Sequence, residues 1–157
     1  MKCILISFAD SRYQASLQMC KRNTKEFGFD SQYFFSEKDL PSSLLKDMKP
    51  YKYRRGFGYW YWKAFLVNEM FKDLSEGDVL VYSDSGNFWN PKGVKRFNEY
   101  VEMLAKSKIS ILAFQQPFLE KDYSKGDLLE YFGVYNDPTV TRSYQLWGGA
   151  FILKKTK

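Results

Sequence analysis

The 157-residue chain has no histidine and only two cysteines, Cys3 and Cys20. Without an imidazole, Ser-His and Cys-His nucleophilic pairs are excluded. The two cysteines have no close-set partner, which argues against a disulfide scaffold and against a zinc site, and fits a reducing cytoplasm. Any catalysis then falls to carboxylates, lysine, tyrosine or a metal held by oxygen. No apolar run approaches the ~20 residues of a membrane span. The opening stretch MKCILISFADSRY is too short in apolar residues for a secretory leader and has no small-residue cleavage site. Repeats, low-complexity tracts and linkers are also missing, so residues 1–157 read as a single domain.

What the chain does have is aromatic surface and positive charge. Tyr, Phe and Trp make up 19% of residues, enough for stacking platforms as well as core. A net charge of +6 favours anionic partners: phosphates, nucleic acid or an anionic membrane face. A solvated basic surface accounts for the same number.

Apolar runs and helical spacings alternate along the chain. KCILISFAD reads as a central strand covered on both faces. Tyr13, Leu17, Cys20 and Phe27 then recur at near-helical spacing, with Gly28 as the stop. FDSQYFF is a second strand, and a short helix lies between Pro41 and Pro50. The basic loop YKYRRGFG precedes a helix marked by Trp62, Leu66, Met70 and Leu74. GDVLVYSD is a third strand, and Asn90-Pro91 opens a helix with Val94, Phe97, Val101 and Leu104 on one face. KISILAFQQ is a fourth strand. A short helix follows, capped by Ser124 with Asp127 near its third position and closed by Gly133. TRSYQLWGGAFILKK is the last strand, interrupted at Gly148-Gly149 by a bulge or by the close approach of something bound. The alternation predicts an α/β fold with a mainly parallel, Rossmann-like sheet.

Ligands of such sheets bind beyond the carboxyl ends of the strands. That rule singles out Phe8–Asp10, Ser83–Gly86 and Gln115-Gln116, each at an expected strand exit. Asp84 either forms a turn with Ser85 and Gly86 or presents a carboxylate to a divalent cation that a diphosphate would share, with Gly86 allowing close backbone approach. Asp10 either caps the first helix or reaches a ribose hydroxyl, with backbone groups of Phe8 and Ala9 and the ring of Tyr13 around a nucleobase. Arg54, Arg55 and Lys63 either neutralise phosphate, helped by a helix starting near Tyr59, or stay solvated. Trp62 belongs to the core by its spacing. Gln145, Gly148 and Gly149 line an acceptor pocket or form a strand bulge.

The block GFGYWYWKAFLVNEMFKDLSEGDVLVYSDSG resembles a stretch of bacterial sugar transferases with the GT-A (nucleotide-diphospho-sugar transferase) fold, written roughly G-Y-W-x-W-K-P, an apolar helix, then G-D-x-x-x-Y-x-D-A/S-G. YSKGDLLEYFG is similar to that group's W-T-K-x-D-x-F motif, and SYQLWGGAFILKKT to its Q-x-x-A-G-x-x-x-x-K-K-T strand. The resemblance implies glycosyl transfer from a nucleotide-diphosphate donor, a uridine one, to a hydroxyl of a saccharide or lipid-linked saccharide, in capsule, lipopolysaccharide or glycoprotein assembly. It implies Asp84 as the first acid of an Asp-x-Asp motif holding Mn2+ or Mg2+. It further implies Phe8, Ala9, Asp10 and Tyr13 in the nucleoside loop, and Arg55, Lys63, Ser85 and Gly86 around the donor diphosphate. Gln145, Gly148 and Gly149 fall toward the acceptor.

A cytoplasmic protein, peripherally associated with the inner membrane face and not binding nucleic acid, is the corresponding expectation. The chain departs from the pattern at Gly86, where the second acid stands, at Ala64 for proline and at Tyr123 for tryptophan. Relatives continue past the K-K-T strand into an acceptor region with a His-Asp-Gln segment, so a donor-binding half of a longer enzyme is expected. Two rival readings are a catalytically inactive nucleotide- or sugar-binding domain and a basic nucleic-acid-binding protein.

Overall fold

A computed structural model describes residues 1–49 and 55–156; the expected phosphate contact of Arg54 lies outside them. The elements run β1 (Cys3–Phe8), α1 (Gln14–Asn23), β2 (Ser31–Phe35), α2 (Ser42–Met48), α3 (Gly56–Tyr59), α4 (Tyr61–Lys72), β3 (Val79–Ser83), α5 (Val94–Lys106), β4 (Ile111–Leu119), α6 (Glu120–Tyr123), α7 (Gly126–Tyr131), α8 (Pro138–Thr141) and β5 (Tyr144–Lys154). The strands form one five-stranded sheet in the order β2-β1-β3-β5-β4. β1 is parallel to both β2 and β3, and β5 is antiparallel to β3. The mainly parallel α/β class read from the sequence is found, with β5 reversed. Pro117, which has no amide to donate, sits in β4 at the sheet edge, where a ladder bond can be spared.

Contacts divide the chain into two compact parts, residues 1–112 with 149–157, and residues 113–148. In the first part, alternate residues of β1 and β3 point to opposite faces, and each face has its own cover. Ile4, Ile6, Phe8, Leu80 and Tyr82 pack with Leu44 and Met48 of α2 and Trp62 and Leu66 of α4. Leu5, Val79, Val81 and Ile152 pack with Phe27 and with Phe97, Val101 and Leu104 of α5. The unbroken apolar run of β1 thus reflects burial on both sides. Each of these large side chains contributes about 1.5–3 kcal/mol by leaving water.

The second part is thin in core. Among its residues Leu129 is buried, while Tyr131 and Phe132 of the same segment stay exposed.

Local signals in the sequence hold in detail. Asp10 caps the 3-10 turn Ser11–Tyr13, Asn90 caps Pro91–Gly93, and Gly28 ends its segment at φ +70°. Three expectations are corrected. Ser124 does not cap α7: Lys125 takes the cap position, and the Ser124 hydroxyl donates to Glu120 instead. β4 continues to Leu119, so Gln115-Gln116 lie inside a strand and not at its exit. β5 runs unbroken through Gly148-Gly149. Among the described residues, no helix is long and apolar enough to cross a membrane.

Candidate functional site

Because β1 and β3 are parallel neighbours, their carboxyl ends leave the sheet at the same edge. Ile6 pairs with Tyr82, so Phe8–Asp10 and Ser83–Gly86 emerge side by side. The convergence expected from the two strand exits is present.

Asp84 stands just past β3. Its amide donates to the Gly149 carbonyl of β5 at 2.8 Å, and its own carbonyl accepts from the Asn87 amide at 3.0 Å, closing a turn over Ser85 and Gly86. The turn role is therefore realised and leaves the carboxylate available for another. Gly86 has no left-handed φ, and a Cβ added there would meet nothing. The close approach expected of this glycine is not demanded by the protein itself.

Beneath the turn the buried Ser83 hydroxyl receives the Asn87 side-chain amide and the Trp89 indole N–H, each at 3.1 Å. The Asn87 amide also reaches the Gly149 carbonyl at 2.7 Å. These bonds clamp the exit loop to the sheet.

The Asp84 carboxylate is 39% exposed, and two donors converge on its Oδ1: Lys63 Nζ at 3.1 Å and the Tyr82 hydroxyl at 2.5 Å. Tyr82 and Asp84 are two residues apart along an extended chain and so share a face. That spacing was the sequence signal for this contact, and the sequence reading missed it. Burial, then the neighbouring Asp84 charge and hydrogen bond, push the Tyr82 phenol far above its ordinary pKa, so it remains a proton donor. The Lys63 ammonium also sits 4.6 Å from the centre of the Tyr82 ring.

Lys63 comes from the first turn of α4, and an unusual approach sets that turn. Gly56, Phe57, Gly58, Tyr59 and Trp60 are consecutive residues with φ of +57°, +48°, +80°, +53° and +60°. This left-handed turn costs roughly 1–2 kcal/mol for each residue that carries a Cβ. It is held by the Tyr59 amide to the Arg55 carbonyl and by the Trp60 amide to the Gly56 carbonyl, both at 3.0 Å. The Trp62 indole N–H donates to the same Gly56 carbonyl at 3.0 Å, and its ring stacks on Phe8 at 3.9 Å. Trp62 is core, as its spacing predicts. Strained backbone of this kind persists only where surrounding contacts determine it, and it gathers at functional sites. The expected helix start near Tyr59 moves to Tyr61. Arg55 is exposed, its guanidinium 5.8 Å from the Trp60 ring.

The first exit is more occupied by the protein than the sequence reading allows. The Phe8 ring is core, the Ala9 amide donates to the Phe35 carbonyl at 3.0 Å, and the Ala9 carbonyl accepts from the Gln14 side chain at 3.0 Å. The buried Asp10 carboxylate takes the Arg12 amide and Nε at 3.0 Å each, as well as Nη2. Tyr13 is exposed beside Arg12, with the guanidinium 5.9 Å from its ring. Of the acceptor candidates, Gly149 is tied to the Asp84 turn, whereas Gln145 and Gly148 belong to the second part of the chain.

The divalent ion implied by the resemblance can be tested against the donor set. Among the described residues no group of three or more His, Cys, Asp or Glu side chains is placed to hold a metal. Asp84 is the lone acid of its motif, and Oδ1 already faces an ammonium and a phenol. Two unit charges ~4 Å apart near a protein surface interact by about 4 kcal/mol, and a divalent ion beside that ammonium would meet about twice that in repulsion. The residues present do not fit a divalent centre.

The mainly parallel five-stranded sheet is a Rossmann-like α/β fold of the GT-A type. No protein-family model matches the chain, and no curated protein matches it. A solved structure does: a glycosyltransferase involved in the glycosylation of the major capsid of PBCV-1, with a TM-score of 0.50 and 13% identity, covering 99% of this chain. The chain spans 61% of the length of that neighbour.

Proposed function

We propose that this chain is a sugar-transferase domain that binds a nucleotide-diphosphate sugar, a uridine one, at the adjoining carboxyl ends of β1 and β3. In the overall reaction the anomeric carbon leaves the diphosphate oxygen for an acceptor hydroxyl, giving a glycoside, a nucleoside diphosphate and a proton. A saccharide or lipid-linked saccharide is the acceptor class proposed. The observation that carries the reading is Asp84 with Lys63 at the shared edge of two parallel strands, in a fold similar to that of a glycosyltransferase. The excess of positive charge suits an anionic donor.

The test is release of nucleoside diphosphate when the protein meets a panel of nucleotide sugars. Turnover of a uridine donor, reduced about 100-fold or more in Asp84→Ala, is expected; a loss of that size corresponds to roughly 2.7 kcal/mol of transition-state stabilisation. Circular dichroism should show an unchanged fold. Donor binding with no turnover would make the chain a binding module, and absence of both would end the reading.

A further inference from the structure

Resting on that reading, we propose that the Lys63 ammonium, aimed by Asp84, takes the place of a divalent cation opposite the donor diphosphate, and that donor binding here is metal-independent. Four independent observations converge on this assignment. The position of the second acid is Gly86, in a backbone conformation that an acidic residue adopts freely and with open space around it, so its absence leaves a gap in the donor set and not a steric necessity. The Asp84 carboxylate at the β3 exit is engaged by a cation from the protein itself, at 3.1 Å. The Tyr82 hydroxyl fixes the same carboxylate oxygen from below, which orients the acid toward Lys63. The Lys63 side chain is 19% exposed, with its ammonium against the Tyr82 ring as well as the carboxylate, so its charge is held at the strand edge instead of sweeping through solvent.

The division of labour follows from this geometry. Lys63 is the residue that meets phosphate oxygens, as a compact charge with several donors. Asp84 and Tyr82 are positioning residues that act through Lys63. The left-handed turn before α4 sets where that ammonium enters the site. Bringing in a diphosphate lets Lys63 add phosphate oxygens to the carboxylate it already touches. A divalent ion at the same carboxylate would sit beside the Lys63 ammonium and meet its repulsion.

The test is calorimetric titration of the full chain with uridine diphosphate and, separately, with inorganic pyrophosphate, in EDTA and in millimolar Mg2+ or Mn2+. Expected are affinities within about twofold across these buffers, and weakening by about tenfold or more in Lys63→Met that Lys63→Arg largely reverses. Asp84→Asn should weaken binding without moving the urea midpoint, and should add nothing further on top of Lys63→Met, the non-additivity of a residue acting through its neighbour. Gly86→Asp, which completes the pair of acids, should make binding respond to Mn2+.

Loss of binding in EDTA with recovery in Mn2+ for the unaltered protein would overturn the proposal, as would wild-type affinity in Lys63→Met. Absence of binding by both probes in every buffer would overturn it too. Lysine-dependent, metal-free pyrophosphate binding without turnover of any nucleotide sugar would sustain this inference while the transferase reading fails.

Discussion

Gly28 and Gly56 make a controlled pair for asking what the left-handed turn costs and what it holds in place. Their φ values are +70° and +57°, so replacing either with alanine forces a side chain into the same unfavourable region. Around Gly28 an added Cβ meets nothing within 4 Å, so Gly28→Ala should pay the conformational term alone, about 1–2 kcal/mol. At Gly56 the added carbon would lie 2.5 Å, 2.6 Å and 2.9 Å from three atoms of the Trp60 indole. The indole must move as a unit, and forced repacking of that kind costs typically about 1–3 kcal/mol.

Gly56→Ala should therefore destabilise by about 2–5 kcal/mol in urea denaturation followed by circular dichroism. The Gly56→Ala, Trp60→Ala double variant should return most of the steric part, leaving a coupling of about 1–3 kcal/mol between the two sites. Equal costs for the two single variants, or a coupling indistinguishable from zero, would refute the argument that the Trp60 ring is fixed over Gly56 by this turn. Because the turn leads directly into α4, Gly56→Ala is also expected to weaken uridine diphosphate binding through Lys63, whereas Gly28→Ala is not.

Ser83→Ala removes the buried oxygen that accepts from Trp89 and Asn87; stranding the Trp89 indole N–H, while Asn87 keeps its bond to Gly149, should cost about 1–3 kcal/mol in the same denaturation experiment, and no loss would mean the exit loop is not clamped there. The thiols make a pH prediction. Burial raises Cys20 to about 11, and burial with the nearby Asp30 charge raises Cys3 to about 12, from 9.0 in each case. The native state favours the neutral thiols, so their contribution is intact below pH 9 and declines as pH rises toward 11–12, by up to about 1.4 kcal/mol per pH unit for each thiol. Melts across this range, compared with a Cys3→Ala, Cys20→Ala protein, isolate that share. At neutral pH both thiols should resist alkylation until the chain unfolds.

Much of the scaffold was legible because its signals are local. The continuous apolar runs of β1 and β3 report burial on both faces, the spacing of Phe97, Val101 and Leu104 reports a helix with one covered side, and Asp10, Asn90 and Gly28 are caps that act on their own neighbours. The exit of an apolar run at Asp84 was enough to place a carboxylate at the edge of a sheet. Which strands lie side by side is a different matter, since pairing joins residues far apart in the chain and leaves no period in the sequence. The tertiary structure set β1 beside β3, as the strand-exit rule leads us to expect, and it alone reversed β5 so that the Gly149 carbonyl receives the Asp84 amide and folded residues 56–60 left-handed. Those three facts bring the ammonium of Lys63 onto the carboxylate of Asp84. The sequence by itself determined which side chains are present at the edge; long-range pairing decided which of them meet.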